Sequence, residues 1–414
     1  MEHTRSTYQR LPVELWIHVV GHISEKRDVA KLCLVSTLLN SISLPFLYQN
    51  LNISMQNGRE WDRQLSLFRT LQIPRYSNIV TTLEITLSGG YVCAKILDRD
   101  KSCTCEVYDR EVGNFLSALR NLRSLYFRCR LCRANGRHSY LDTLQTRQLR
   151  VFRFSCSCLT SQIGESNEPN PTSLLNAPFM QAVTSMALAC SNRWLIDDTG
   201  TISSVLRNPD VLPSLNTLGY IVSSDSGIFR FPNEFLAARP IQRLYYPGPP
   251  LLSYETPPTQ QTLECLMTND VMQWLSPIVT KYPDLYANLR CLGTITLLSS
   301  KEENILHALE PLSVLKLLHT IELNQFISGN TKNTGDIWSW ENKFEPFEPS
   351  DSLVQRLGQQ NDSLRRIYHV HRPYWDVQRT DATLWERNHD DMWTRRAIPF
   401  MDHWEVVNGA LDSL

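Results

Sequence analysis

At 414 residues the chain exceeds the size at which one hydrophobic core stops growing, which excludes a small single globule and favours several domains or an elongated repeat. Its apolar content of 42% and charged content of 20% exclude overall disorder. Lys plus Arg (41) against Asp plus Glu (42) leaves a formal charge of -1, which excludes a global field drawing the protein to nucleic acid or an anionic membrane.

The first residues, MEHTRSTYQR, are polar and lack an apolar run, and nowhere do 18 consecutive apolar residues occur. Neither a signal peptide nor a membrane span is expected, and the expected location is cytoplasmic, nuclear or both. Eleven cysteines, an odd number, then favour reduced thiols over a disulfide framework, and the sequons at Asn52 and Asn361 are expected to stay unused.

The first predicted element is a helix opening at Pro12, whose missing N–H costs nothing in a first turn, with Leu11, Leu15, Val19 and Ile23 at intervals of four. Trp16 and Val20 widen this stripe. A second helix, capped by Asp28, carries Val29, Leu32 and Val35, and a third, with Leu38, Leu39 and Ile42, is expected to end near Pro45. A unit of this length rarely folds unaided, so its outer apolar face requires cover from the rest of the chain or from a partner.

The segment LPVELWIHVVGHISEKRDVAKLCLV resembles an F-box, a family that begins Leu-Pro-x-Glu-Leu and later carries Leu-Val. Leu11, Pro12, Glu14, Leu15, Ile17, Ile23, Leu34 and Val35 match position by position, whereas Ser36, Thr37, Leu38 and Leu39 stand where the family has a polar-aromatic run. The following LPFLYQNLNI is similar to the exit of many fungal F-box proteins, where a short helix leads into a first strand. The resemblance implies that Leu11, Pro12, Leu15, Val19, Ile23, Leu34 and Val35 bear on docking to the Skp adaptor of a cullin-RING ubiquitin ligase. Some of these side chains must instead hold the three helices together.

Beyond residue 50, apolar residues recur at i, i+3, i+5, the pattern of one loop position followed by two inward positions of a strand. The triplets begin at Tyr48, Val80, Leu122, Leu149, Val183, Leu215, Ile241, Leu292, Leu318 and Leu364, with one degenerate unit around Leu263 and Leu266. Helical patterns precede several of them, as Trp61, Leu65, Phe68 and Leu71 precede Val80. Helix-strand units at roughly 30-residue intervals predict an α/β fold in which the three-helix segment is followed by an irregular solenoid. The solenoid resembles leucine-rich repeats, without a regular Asn or Cys ladder. An α/β globule of another kind is the structural alternative.

Three constellations are candidates for chemistry or recognition. Cys93, Cys103, Cys105, Cys129, Cys132, Cys156 and Cys158 with His138 permit a zinc site to be drawn, the best pair being Cys103 and Cys105 in an apparent loop, but alternation along strands makes several of these thiols core residues. His369 and His371 with Asp376, His389, Asp390 and Asp391 are compatible with a metal hydrolase. Trp338, Trp340, Trp375, Trp385, Trp393 and Trp404, with Arg372, Arg379, Arg395 and Arg396, suit a terminal cap first and a recognition surface second. Polar stretches at 162–173 and 328–351 are expected loops.

The expected organisation is a helical F-box domain at 8–50, a leucine-rich-repeat-like solenoid at 51–370 and a Trp-rich cap at 371–414. The expected function is that of a non-catalytic substrate receptor, joining a Skp adaptor and its cullin to an unidentified protein target, without cofactor, metal, nucleic acid or membrane. The alternatives are a metal-dependent hydrolase using the C-terminal His and Asp residues, and a repeat scaffold that binds no adaptor.

Overall fold

A computed structural model of the full chain describes residues 11–55, 61–87, 104–129, 141, 143–156, 175–190, 207–222, 238–246, 263–268, 286–296, 301–324, 348–370 and 381–413. Among them the fold is mixed α/β. The chain packs as two units: Met1–Thr184 with Ala189–Val205 and Asp210–Pro213, and Ser185–Leu188 with Leu206–Pro209 and Ser214–Leu414. The division falls inside the stretch expected to form the solenoid.

Unit 1 opens with α1 (Val13–Gly21), α2 (Lys26–Leu32) and α3 (Thr37–Tyr48). Four details differ from the sequence reading, the first being that Val35, expected on the second helix, lies in the turn after it. Pro12 is the N-cap, in extended conformation, one residue ahead of the helix. Glu25, not Asp28, precedes α2, and Asp28 lies in its first turn, paired with Lys31 at 2.6 Å. Pro45 lies inside α3. A proline removes one amide and crowds the preceding turn, but the amides beyond it are untouched, and Gln49 N still donates to Pro45 O at 2.8 Å. Leu47, packed against the helical core, and Tyr48, whose ring lies 5.1 Å from that of Tyr76, hold the last turn in place.

Then come β1 (Asn50–Met55), α4 (Trp61–Leu71), α5 (Pro74–Ser77), β2 (Thr82–Leu87), α6 (Thr104–Ala118), β3 (Ser124–Cys129) and β4 (Val151–Cys156). These four strands pair in chain order, all parallel and without slippage, so that Asn52, Glu84, Tyr126 and Arg153 form one cross-strand row. Strand alternation sends Ile53, Leu83, Ile85, Leu125, Phe127, Phe152 and Phe154 into the core. Phe68 of α4 and Phe115 of α6 stack at 5.0 Å within it.

Unit 2 holds most of β5 (Ser185–Cys190), then β6 (Thr217–Val222), β7 (Arg243–Tyr245), β8 (Cys265–Met267), β9 (Cys291–Thr296), α7 (Glu302–Leu309), β10 (Thr320–Asn324), α8 (Asp351–Gln360) and β11 (Arg366–Val370). The pairs from β6 to β11 are parallel. The hairpin of β12 (Asp381–Arg387) and β13 (Trp393–Pro399) then adds antiparallel to β11, and α9 (His403–Val407) with a short 3-10 turn at Ala410–Ser413 ends the described chain.

The same join recurs ahead of the strands. The carbonyl of the residue immediately before one strand accepts from two consecutive amides at the start of the next: Gln49 from Thr81 and Thr82, Thr81 from Arg123 and Ser124, Arg123 from Arg150 and Val151. In unit 2 the series runs through Asn216, Gln242, Glu264, Arg290 and His319, which accepts from Arg365 and Arg366. Every one of these residues is polar. Side chains add a second tie to the preceding loop: Asn121 Nδ2 donates to Asn78 O at 2.8 Å, Thr146 Oγ1 to Leu122 O at 3.0 Å, and Asn361 Nδ2 to Leu312 O at 3.1 Å.

The triplets and the degenerate unit land on these strands with their described members buried, apart from Tyr48, Leu51 and Leu263, which are half-buried. One triplet is misplaced. The inward positions about β9 are Leu289, Leu292 and Ile295, so Leu292 is the second member and not the first. A register shift opposite Ile321 and Leu323, where β9 carries an extra residue, moves Ile295 one place beyond the regular spacing.

Candidate functional site: the N-terminal helices and a buried polar cluster

The three N-terminal helices divide their apolar residues between an inner and an outer set. Val20, Val29 and Ile42 form the core, with Trp16, Ile23, Leu32 and Leu47 packed against it. On α1 the inner row is therefore Trp16 and Val20, four residues apart, and Ile23 follows it inward just past the helix end. Leu15 and Val19, also four apart, form a separate row, each 47% exposed. Val13 and Ile17 flank them, also exposed.

Leu34 and Val35, in the turn after α2, are 87% and 65% exposed. That turn is fixed by backbone bonds from Leu34 N to Lys31 O and Val35 N to Leu32 O, and by Asn40 Nδ2 donating to Cys33 O at 3.1 Å. Ser36 caps α3 by accepting from Leu39 N at 3.1 Å. Leu39 turns into the core, while Leu38 and Phe46 stay exposed. Of the seven residues expected to meet an adaptor, Leu11, Pro12, Leu15, Val19, Leu34 and Val35 are exposed, and Ile23 is half-buried within the subdomain.

Nine large apolar side chains thus stay in water on a segment of under 40 residues: Leu11, Val13, Leu15, Ile17, Val19, Leu34, Val35, Leu38 and Phe46. Covering a half-exposed Leu or Val is worth on the order of 1 kcal/mol, so the whole surface offers on the order of 10 kcal/mol. This is comparable with the roughly 4–15 kcal/mol that association costs, so a partner that fits it closely is needed for a stable complex.

A second cluster, in unit 2, escaped the sequence reading. Thr294 of β9, Glu322 of β10 and His403 of α9 meet in the interior: His403 Nε2 is 2.7 Å from Thr294 Oγ1 and 3.4 Å from Glu322 Oε1. Asp402 caps α9, accepting from Glu405 N at 2.8 Å while Glu405 returns a carboxylate to Asp402 N, which fixes the start of the helix. The ring of Tyr245 lies 4.9 Å from that of His403. Cys265 and Cys291 are cross-strand partners beside them, and the hydrogen bond between the thiols, with burial, holds Cys291 well above the usual thiol range.

An acid, a histidine and a hydroxyl suggest nucleophilic catalysis, but the geometry does not supply it. In a relay the acid orients one ring nitrogen while the other faces the nucleophile; here Thr294 and Glu322 both address Nε2, and all three side chains are buried. The cluster fastens α9 to the sheet. No sequence signal announces it, because its members lie far apart and each reads as an ordinary polar residue.

The metal-hydrolase residues are not assembled. His369 is buried in β11 opposite Thr383, on the face away from Tyr368, whose hydroxyl donates to Met401 O at 3.1 Å. His389, Asp390 and Asp391 are exposed in the β12–β13 turn, and the four residues from Thr383 to Arg387 alone put about 14 Å between them and His369. Asp391 is engaged by Arg387 at 3.1 Å and Arg365 at 3.6 Å. His371 and Asp376 lie outside the described residues, among which no group of three His, Cys, Asp or Glu side chains is placed to hold a metal ion.

Of the zinc candidates, Cys93, Cys103, Cys132, Cys158 and His138 lie outside the described residues. Cys105, expected in a loop, belongs to α6, and Cys129 and Cys156 are register partners at the ends of β3 and β4.

The C-terminal tryptophan region divides into two parts. Trp385 and Trp393 belong to the edge hairpin, where the Arg395 guanidinium sits 5.5 Å from the Trp385 ring centre and pairs with Glu348, while Arg396 pairs with Glu386 at 3.0 Å. Trp404 lies instead on the strand face, against Gly219 of β6. Trp338, Trp340, Trp375, Arg372, Arg379 and the stretch 162–173 lie outside the described residues, as does 328–347.

Among the described residues, no helix is long and apolar enough to cross a membrane. No protein-family model matches the chain, and no curated protein matches it either.

Proposed function

We propose that this protein is a substrate receptor of an SCF-type ubiquitin ligase, whose N-terminal helices form an F-box that binds a Skp adaptor and whose strand-bearing units hold a protein target. The observation that carries this reading is the exposed apolar surface of residues 11–46, left uncovered by the other described residues and containing most of the residues that match the family motif. Monomeric proteins seldom leave such a surface in water.

Within each unit the parallel strands pair in chain order, and the carbonyl of a polar residue ahead of most of them accepts two amides of the next, which supports reading the remainder as an irregular leucine-rich-repeat-like array. In this role the receptor supplies position only, raising the local concentration of target near a ubiquitin-charged enzyme, and the bond-forming groups reside on other subunits.

The test is capture of the purified chain on immobilised Skp adaptor. Wild type is expected to bind, and the triple variant Leu11→Ala, Pro12→Ala, Leu15→Ala to lose binding with its circular dichroism spectrum retained. A wild-type chain that ignores the adaptor, or a folded triple variant that still binds it, overturns the proposal.

A further inference from the structure

Unit 2 contains a worked example of what the start edge of its strands holds. Arg243 and Arg366, the first residues of β7 and β11, grip the C-terminal segment of the chain itself. Arg243 Nη1 donates to Val407 O at 3.1 Å and its Nη2 pairs with the Asp412 carboxylate; Arg366 Nη1 donates to Leu411 O at 2.9 Å. The segment so held, residues 402–413, contains Asp402, Glu405 and Asp412 and no Lys or Arg.

The corresponding edge of unit 1 is also basic and, among the described residues, uncovered. Arg123 and Arg150 immediately precede β3 and β4 and, given the pairing of Ser124 with Val151, stand about 4.8 Å apart along the sheet. Arg120 and Arg147 lie three residues ahead of each. Thr146 Oγ1, donating to Arg120 O at 3.1 Å and to Leu122 O at 3.0 Å, draws the two loops together. All four side chains are exposed. Arg150 donates to Ala182 O at 3.2 Å, and among the described residues no carboxylate pairs with any of the four.

Elsewhere many arginines are neutralised: Arg69 of unit 1 and Arg356, Arg387, Arg395 and Arg396 of unit 2 each face a carboxylate, although the exposed Arg290 ahead of β9 does not. Like charges side by side on adjacent strands repel, so the row is destabilising until an anion covers it. With the chain as a whole nearly neutral, the field is local to this edge. Guanidinium forks match carboxylates in pairs, and no aromatic residue lies within 119–124 or 145–151 to stack a nucleic-acid base.

We propose that the start edge of β3 and β4 is a docking site for an acidic peptide segment of another protein, gripped by Arg120, Arg123, Arg147 and Arg150. The mode is the one by which Arg243 grips the Asp412 carboxylate and the Val407 carbonyl of this chain's own C-terminal segment. The site stands on its own geometry and does not need the adaptor-binding reading.

The experiment titrates the purified full chain, with no adaptor present, into a short fluorescein-labelled poly-glutamate peptide and follows fluorescence anisotropy. Saturable binding that weakens with salt is expected. Replacing two exposed cations by anions removes attraction and adds repulsion worth about 1.4 kcal/mol together, so R123E/R150E is expected to weaken binding about tenfold. Should that variant melt early, R120Q/R147Q, which alters no residue adjoining a strand, is expected to weaken binding several-fold. Absence of peptide binding, unchanged affinity in the folded variants, or tighter binding of a single-stranded RNA of matched charge overturns the proposal.

Discussion

His403 Nε2 stands 3.4 Å from Glu322 Oε1 with the side chains only 4% and 3% exposed, so a residue of the last helix and one of a central strand share a single interior polar contact. Taking away His403 leaves the buried Glu322 carboxylate without this partner. His403→Ala is therefore expected to destabilise unit 2 by about 3–5 kcal/mol, whereas the double replacement His403→Leu, Glu322→Leu recovers much of that loss. Denaturant melts followed by circular dichroism measure both, and a His403→Ala variant as stable as wild type would falsify the fastening role.

Gly219 owes its identity to Trp404. A Cβ added at Gly219 meets the indole at 2.5 and 2.9 Å and Ala187 Cβ at 3.2 Å. Gly219→Ala is expected to cost about 1–3 kcal/mol and to lift α9 from the strand face. Hydrogen exchange then reads faster exchange across 403–413; unchanged protection there refutes the contact.

The N-terminal helices offer a matched pair of substitutions. Leu34→Ser, at a side chain almost fully in water, is expected to shift stability by no more than about 0.5 kcal/mol while reducing adaptor capture. Ile42→Ala, in the helical core, is expected to cost about 2–5 kcal/mol in the local melt. Equal losses of stability for both refute the division into inner and outer sets.

His319 gives a pH signature. Burial, with the charge of Arg290 and other nearby arginines, lowers its pKa below the ordinary histidine value of 6.5. The unfolded chain therefore takes up this proton first as pH falls. The contribution of His319 to stability is complete above pH 6.5 and is lost as pH falls through the lower folded-state value. His319→Gln is expected to flatten that part of the stability curve between neutral and mildly acid pH. Superposable wild-type and variant curves refute it.

The strands were legible in the sequence because burial of one face leaves a regular trace: Leu83 and Ile85, or Phe152 and Phe154, announce a strand by alternation. Helices α4, α7 and α8 left a similar trace. The trace fails where the backbone departs from its period. At β9 the extra residue displaces the pattern by one member, and at α3 the proline predicts a stop that packing of the last turn carries the helix past. The exposed flank of α1 was legible as an apolar stripe, but Trp16 and Val20 could not be told from Leu15 and Val19 until the helix had a neighbour. The arrangement of His403, Thr294 and Glu322 left no trace, since a polar contact between distant residues has no period.

Where one strand hands over to the next, a single carbonyl anchors two amides, and the distance along the chain between anchors is not fixed: Gln242 and Glu264 are close in sequence, His319 and Arg365 more than twice as far apart. The sheet is thus indifferent to how much chain lies between anchors. Insertions and deletions there can be absorbed without disturbing the hydrogen-bonded framework. Such an architecture lets a connecting segment be lengthened or shortened while the hydrogen-bonded scaffold stays as it is.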